Sequence, residues 1–206
     1  MLYLDVPYEE KDKVKNLGAR WDTYYKKWFV SNPLDYYMFK KWINGNVILS
    51  NCFYLVEGKT HCWRCKRETK VIAIGVESII EVYDEPSDFK NDSIHIASGF
   101  ESLPKDILKY LEEHYAIRKR YSKMRNSSYL SNGCKHCDAL QGDWFLYQEP
   151  DSPFFINDEA TAKDLILYRI KLDFDLPMHL SVGYGSKDRL IKQFATIIDF
   201  KVPSSK

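Results

Sequence analysis

The chain has 206 residues, 45% of them hydrophobic and 15% aromatic (15 Tyr, 11 Phe and 5 Trp), a composition that builds a packed core and excludes a disordered or low-complexity chain. Its 30 Lys and Arg against 29 Asp and Glu leave a formal net charge of +1, which excludes a polycation that coats nucleic acid or an anionic membrane. No apolar run approaches the ~18 residues of a membrane span, and the first residues, MLYLDVPYEEKDK, carry no signal-peptide pattern, so we expect a soluble, cytoplasmic protein without a membrane partner.

Tyr3–Val6 reads as a short strand. Pro7-Tyr8-Glu9-Glu10 opens a helix with acids in its first turn, where the helix dipole favours them. The helix Glu9–Leu17 closes on Gly18, a residue suited to a helix C-terminus. Trp21 to Val30 then supplies two aromatic-rich stretches about a turn. Residues 1–43 are thus expected to form a small β-α-β-hairpin module, which buries so little area that it leans on its tryptophans or on the rest of the chain. Lys26 and Lys27, with Lys11, Lys13, Lys15 and Arg20, supply cations, and Trp21 and Trp28 supply rings. Those are the ingredients of a single-stranded nucleic-acid surface. The same residues suit a tryptophan core with a solvated lysine side. Eight basic and six acidic side chains in this stretch do not separate the two.

Val6-Pro7-Tyr8-x-Glu10-Lys11-Asp12, Leu17-Gly18-Ala19-Arg20-Trp21-Asp22 and Lys27-Trp28-Phe29-Val30 together resemble a small bacterial domain of unknown function. That domain is appended to plasmid primases and other mobile-element DNA-processing proteins. The Trp-Asp…Lys-x-Trp hairpin is also distantly similar to the HepA-related domain of annealing helicases, which binds DNA. The resemblance covers about residues 2–43. Thr23-Tyr24 departs from it, standing where a proline-led turn is common.

Residues 44–206 are expected to form a zinc-ribbon-like β domain with an inserted helical segment, giving an α+β protein. Val47–Val56 is a long β-prone run, and Cys52 within it reads as a buried small hydrophobe. Cys62-Trp63-Arg64-Cys65 and Cys134-Lys135-His136-Cys137 carry the strongest signal in the chain. Two residues between ligands is the knuckle spacing that lets both sulfurs reach one tetrahedral ion. Five cysteines, an odd number, with no export signal argue against a disulfide framework. We therefore expect Zn²⁺ on Cys62, Cys65, Cys134 and Cys137, with an iron–sulfur cluster as the main competitor and a redox pair as a further one. Four thiolates leave no open position for water, so the metal is expected to be structural. His61 and His136 flank or sit within the knuckles and read as neighbours.

Each knuckle is followed by a turn and a β-prone run, Val71–Ile74 and Trp144–Tyr147, as in two pseudo-equivalent ribbon hairpins. The pairs are separated by 68 residues, where a plain ribbon has about 15 to 20, so the metal closes over an insertion, placed at 76–133. Cys-Trp-x-Cys, Tyr121-Ser122-Lys123, Cys-x-His-Cys, Gln141-Gly142-Asp143-Trp144-Phe145-Leu146 and Glu149-Pro150 resemble an uncharacterised bacterial zinc-ribbon family. That resemblance implies the paired knuckles and no activity.

Within the insertion, Asp84–Asp88 and Lys90–Ser93 read as loop and Ile94–Ile96 as a short strand. Ser102 to about Arg125 reads as one long helix, with Leu103, Ile107, Leu108, Leu111 and Tyr115 at helical spacing. Arg118, Lys119, Arg120, Lys123, Arg125 and Lys135 follow with no acid among them. They make either a phosphate-contacting surface or a solvated cationic helix end. Further on, Asp164–Lys171 and Pro177–Val182 read as strands, and Lys187–Ile198 as a helix capped by Ser186.

The function expected from these features is a non-catalytic zinc-binding protein that engages single-stranded or duplex nucleic acid, or a nucleic-acid-processing complex. Arg118, Arg120, Lys123 and Arg125 would meet phosphates, and Trp21 or Trp28 would stack. The alternatives are a protein-interaction adaptor anchored on Trp63 and Trp144 and a hydrolase using Glu149 and Asp151. No nucleophile–base spacing or paired-carboxylate signature supports the hydrolase, and His95, His114 and His179 sit in no recognisable motif.

Overall fold

The computed structural model describes residues 1–82, 93–101, 103–124 and 126–201. The expected loop at 84–92, the expected helix start at Ser102 and the candidate phosphate ligand Arg125 lie outside the described residues. The fold is mixed α+β, mostly sheet with few helices. No helix among the described residues is long and apolar enough to cross a membrane.

The chain begins with β1 (Leu2–Leu4), a 3-10 turn at Tyr8–Glu10 that runs into α1 (Lys11–Asn16), then β2 (Arg20–Asp22) and β3 (Lys27–Val30). Gly18, at φ +99, lets the chain leave α1 in a left-handed turn that a side chain would resist. β3 is central and pairs antiparallel with both neighbours, setting Leu4 and Trp21 opposite Trp28. A 3-10 stretch, Pro33–Trp42, lays Tyr36, Phe39 and Trp42 over Leu2, Leu4, Val14 and Val30. This core is continuous with Ile48 and Val82. The Tyr36 hydroxyl donates to Asp175 at 2.5 Å, and the Met1 amino group meets the same carboxylate at 3.0 Å. The first forty residues are therefore docked on the rest of the chain, which is how so small a unit gains enough buried surface.

The main sheet has six strands. β4 (Val47–Leu49) precedes the long hairpin β5 (Cys52–His61) and β6 (Glu68–Val76); β7 (Ile79–Glu81) and β8 (His95–Ser98) follow. After α2 (Lys105–His114) come β9 (Ile117–Ser122), β10 (Ser127–Asn132), α3 (Asp143–Tyr147) and α4 (Glu159–Lys163). The chain ends with β11 (Ile166–Lys171), β12 (Leu176–Met178), β13 (Ser181–Val182), α5 (Arg189–Phe194) and β14 (Thr196–Asp199). The sheet order is β13-β8-β6-β5-β11-β14, with β14 parallel to β11, and β12-β4-β7 form a small second sheet. Phe53, Leu55, Ile72 and Ile74 face α2, whereas Tyr54, Val56, Val71 and Ala73 face Leu146 of α3 and Ile191 of α5. Cover on both faces explains why these strands read as unbroken apolar runs rather than as alternation.

Three expected elements are corrected. The helix from Ser102 to Arg125 stops at His114: Tyr115, the last residue of the apolar period, is already extended and turns its hydroxyl onto buried Glu57 at 2.5 Å, and Ile117–Ser122 pairs with Ser127–Asn132 as a hairpin. The basic residues thus ride on a β-hairpin and not on a helix end. Trp144–Tyr147 is helical, not a strand, because only Leu146 of α3 is buried, a one-sided pattern that a strand matching Val71–Ile74 would not have. The final helix spans Arg189–Phe194 and begins after Asp188, not at Ser186. Its expected tail, residues 196–198, falls instead in β14 at the open edge of β11, where β-branched residues are favoured. Finally, β8 belongs to the main sheet, so residues 76–133 are partly woven into the core.

Candidate metal centre and aromatic pocket

The two knuckles sit at strand ends and repeat one geometry. The first caps the β5–β6 hairpin beyond the His61–Glu68 pair; the second follows β10, beyond a bridge between Gly133 and Leu140. In the first, the Lys66 amide donates to the Cys62 carbonyl at 2.9 Å and the Cys62 amide to Arg67 O at 3.0 Å. In the second, the Asp138 amide donates to the Cys134 carbonyl at 2.8 Å and the Cys134 amide to Ala139 O at 2.9 Å. Lys66 (φ 60) and Asp138 (φ 56) both occupy the left-handed region, a conformation that costs a side-chain-bearing residue roughly 1–2 kcal/mol. The matching hydrogen bonds hold both turns in it.

The four sulfurs converge. Cys62 Sγ lies 3.7 Å from Cys137 Sγ, and Cys65 Sγ lies 3.6 Å from Cys134 Sγ. All four fall within 4.8 Å of one another, with Cys62 and Cys134 buried. Sulfurs held about 2.3 Å from one tetrahedral ion stand ~3.8 Å apart, so the quartet fits a single ion. The Gln141 amide donates to Cys62 Sγ at 3.4 Å and to Ala139 O at 2.8 Å, and the His136 backbone amide donates to Cys134 Sγ at 3.4 Å. Such donors favour thiolate over thiol. The Arg67 amide leads in holding the Cys65 thiol down to about 6. At Cys137 the Ala139 amide acts to lower the thiol, but burial and the three neighbouring sulfurs outweigh it and push it up to about 11. Four sulfurs this close do not all ionise unless a cation compensates them.

The histidines beside the knuckles stand outside the sulfur quartet. His136 Nε2 bonds to Glu68 O at 3.0 Å, and the Arg67 guanidinium reaches His136 O at 3.5 Å. These links and the Lys135 amide donating to Thr69 Oγ1 at 3.1 Å bind one knuckle to the other. Cys52 is half-buried, 3.8 Å from the Tyr54 hydroxyl, and burial pushes its thiol up, which disfavours the thiolate.

Trp21, Trp28, Lys26 and Lys27 come together with Tyr8 and Lys11 around one pocket of about 670 Å³. The indoles meet edge to face, with centroids 5.5 Å apart at 64°. Trp28 packs on the core of the first forty residues, while Trp21 is 48% exposed, so one indole belongs to the core and the other stands at the surface. Lys26 sits at φ 52 in the turn, and Asp22 Oδ1 accepts the amides of Tyr24 and Tyr25 at 2.8 and 2.9 Å. This cap replaces the proline-led turn. Lys11 Nζ lies 3.9 Å above the Tyr8 ring.

The basic stretch is divided by strand alternation. Arg118 and Arg120 point toward Asp138, whereas Lys119 and Tyr121 take the opposite face of β9. Arg120 is largely buried and fully engaged: it donates to Ala116 O at 3.1 Å, Ser131 O at 2.9 Å and Asp138 O at 3.2 Å, and pairs with the Asp138 carboxylate. It ties the hairpin to the second knuckle and is not open to a phosphate. Arg118 lies 3.5 Å from Asp138 in an exposed pair. Lys119, Lys123 and Lys135 are exposed. Asp138 and Gln141 were not among the candidate residues. The sequence signal for Asp138 is its place one residue past Cys137; Gln141 stands four residues past it, within the motif that resembles the zinc-ribbon family.

Fold and site together define a mixed α+β protein with a four-cysteine cluster of metal-binding geometry. Residues 1–44 match the family model described as "Domain of unknown function (DUF5710)". Two curated relatives, both "DNA primase TraC" of Escherichia coli, are 49% identical over 43 residues and 52% identical over 40. The alignments cover 21% and 19% of this chain and 3% and 4% of the relatives, so the chain spans a small fraction of their length. No solved structure matches the chain.

Proposed function

We propose that this chain is a non-catalytic protein whose fold is closed by a structural zinc ion on Cys62, Cys65, Cys134 and Cys137, and that its first forty-odd residues contact nucleic acid. Sulfurs in mutual contact favour one ion over an iron–sulfur cluster, whose several irons would spread its ligands. With four thiolates the zinc supplies folding free energy and offers no open coordination position.

The observation that carries the nucleic-acid reading is the pocket joining Trp21, Trp28 and Tyr8 to Lys11, Lys26 and Lys27. It combines ring faces with cations, as strand-binding surfaces do, inside the segment that is similar to part of a DNA primase. A DNA-processing complex is the setting this similarity supports.

Fluorescence anisotropy against labelled single-stranded DNA, duplex DNA and RNA, across a salt series, tests the reading. Binding that weakens linearly in log salt, by about 0.7 per phosphate contacted on a single strand, and that Trp21→Ala diminishes supports it. No binding at low salt overturns it. Metal analysis of the purified chain, with one zinc expected per molecule, tests the other half.

A further inference from the structure

A second aromatic surface lies beside the cysteine cluster, along a groove of about 920 Å³. Its exposed rings come from segments distant in sequence: Trp63 from the first knuckle, Tyr121, beside Lys123 and Met124, from the turn end of the β9–β10 hairpin, and Trp144 and Phe145 from α3. Trp63, Tyr121, Trp144 and Phe145 are each more than half exposed, and Met124 more so. Folding gains little from four rings left in water, and a contiguous patch of this kind marks a surface that something else covers.

The polar edges of these rings are already satisfied within the chain. Trp63 Nε1 donates to Leu140 O at 2.7 Å, Trp144 Nε1 to Glu149 Oε1 at 2.9 Å, and the Tyr121 hydroxyl to Asn126 Oδ1 at 2.6 Å. What they offer a ligand is their faces, which stack on flat conjugated rings without demanding a particular hydrogen bond.

The hairpin wall contributes a cation to the groove. The sequence has no Asp or Glu from residue 116 to residue 136, the stretch that includes the hairpin wall. Lys123 lines the groove, Lys119 shares the Tyr121 face of β9, and among the described residues neither lysine makes an ion pair. Asp143 is the one carboxylate lining the groove among the described residues.

We propose that this groove holds a single strand of nucleic acid, with bases stacked on Trp144, Phe145, Trp63 and Tyr121 and phosphates beside Lys123. The proposal deepens the nucleic-acid reading and rests on it for the class of ligand, adding a second and separate contact. A duplex does not suit the groove, because its base faces are spent on one another.

The test is anisotropy of a short fluorescein-labelled oligothymidylate, the matching oligouridylate and a duplex of the same length, with melting curves for every variant. Trp144→Ala and Phe145→Ala, which leave the knuckles untouched, are each expected to weaken single-strand binding about five- to hundredfold. Trp144→Phe, which keeps a ring, is expected to retain most of it. Loss of either polymer on the two alanine variants supports the proposal, and a preference for one tells DNA from RNA. If both alanine variants melt like the wild type and bind within about twofold of it, the groove is overturned. In that case a loss on Trp21→Ala still sustains the N-terminal contact alone. A Trp21→Ala variant that binds duplex as tightly as single strand also overturns the groove. A wild type that binds no nucleic acid overturns both readings, and a protein partner lost on Trp144→Ala would then identify the groove as a protein-docking surface.

Discussion

Arg120 of β9 lays its guanidinium against both the carboxylate and the main-chain carbonyl of Asp138, one residue past the last cysteine of the second knuckle. One side chain therefore joins the basic hairpin to the cysteine cluster. Asp138 is also the residue held at positive φ to close the knuckle, so the same pair supports a strained turn.

Arg120→Ala is expected to destabilise the fold by about 2 to 3 kcal/mol, because the carbonyls of Ala116 and Ser131 lose their donor. Gly133→Ala should have a similar effect, since a Cβ there would collide with the guanidinium. Arg118→Ala, removing an exposed pair, should cost less than about 1 kcal/mol. Urea unfolding of the three variants checks the order. Equal losses for Arg118→Ala and Arg120→Ala would contradict the clamp.

Replacing Cys62 or Cys134 by Ser should abolish stoichiometric zinc and leave a chain that aggregates or fails to melt cooperatively, since binding free energy at such a site is folding free energy. A strong chelator should do the same to the wild type. Metal analysis with calorimetry reads both. Wild-type melting in either Ser variant would exclude a structural metal.

Glu10 accepts hydrogen bonds from Lys41, from the Trp42 indole at 2.7 Å and from Lys13 at 3.1 Å. These hold its carboxyl down to about 2, from an ordinary value of 4.5. The folded state therefore favours the charged form, and the stabilisation is present above pH 4.5 and fades as pH falls toward 2. Glu10→Gln should be less stable than wild type at neutral pH, and the gap should close through that window. A gap that stayed constant with pH would show that the carboxylate charge contributes nothing.

The two indoles should separate in stability. Trp28→Ala removes packing from the N-terminal core and is expected to cost about 2 kcal/mol or more, whereas Trp21→Ala should cost under about 1 kcal/mol. Thermal melts of both variants test this. A larger loss at Trp21 would reassign it to the core.

The cysteine quartet is legible in the sequence because knuckle chemistry is local: two residues between ligands suffice to aim two sulfurs at one point, whatever lies between the pairs. The helix closing on Gly18, the β-prone stretches at 53–56 and 71–74, and the aromatic hairpin at 21–30 are legible for the same reason, since periodicity and turn residues act over a few positions, whereas the break of the run 47–56 into β4 and β5 is not. The cationic run at 118–135 is not. Its residues read alike as helix or strand, and Ser127–Asn132 decides the matter by pairing with it. Which cations remain available is likewise a tertiary outcome, because Arg120 is spent on carbonyls and a carboxylate that only the fold brings within reach, while Lys123 is left on a groove wall. The groove itself joins residues 63, 121–124 and 144–145. Composition and local pattern specify which groups a chain carries and how each short segment bends, but burial, hydrogen-bond partners and shared surfaces depend on contacts between distant segments, and those exist only once the chain has closed.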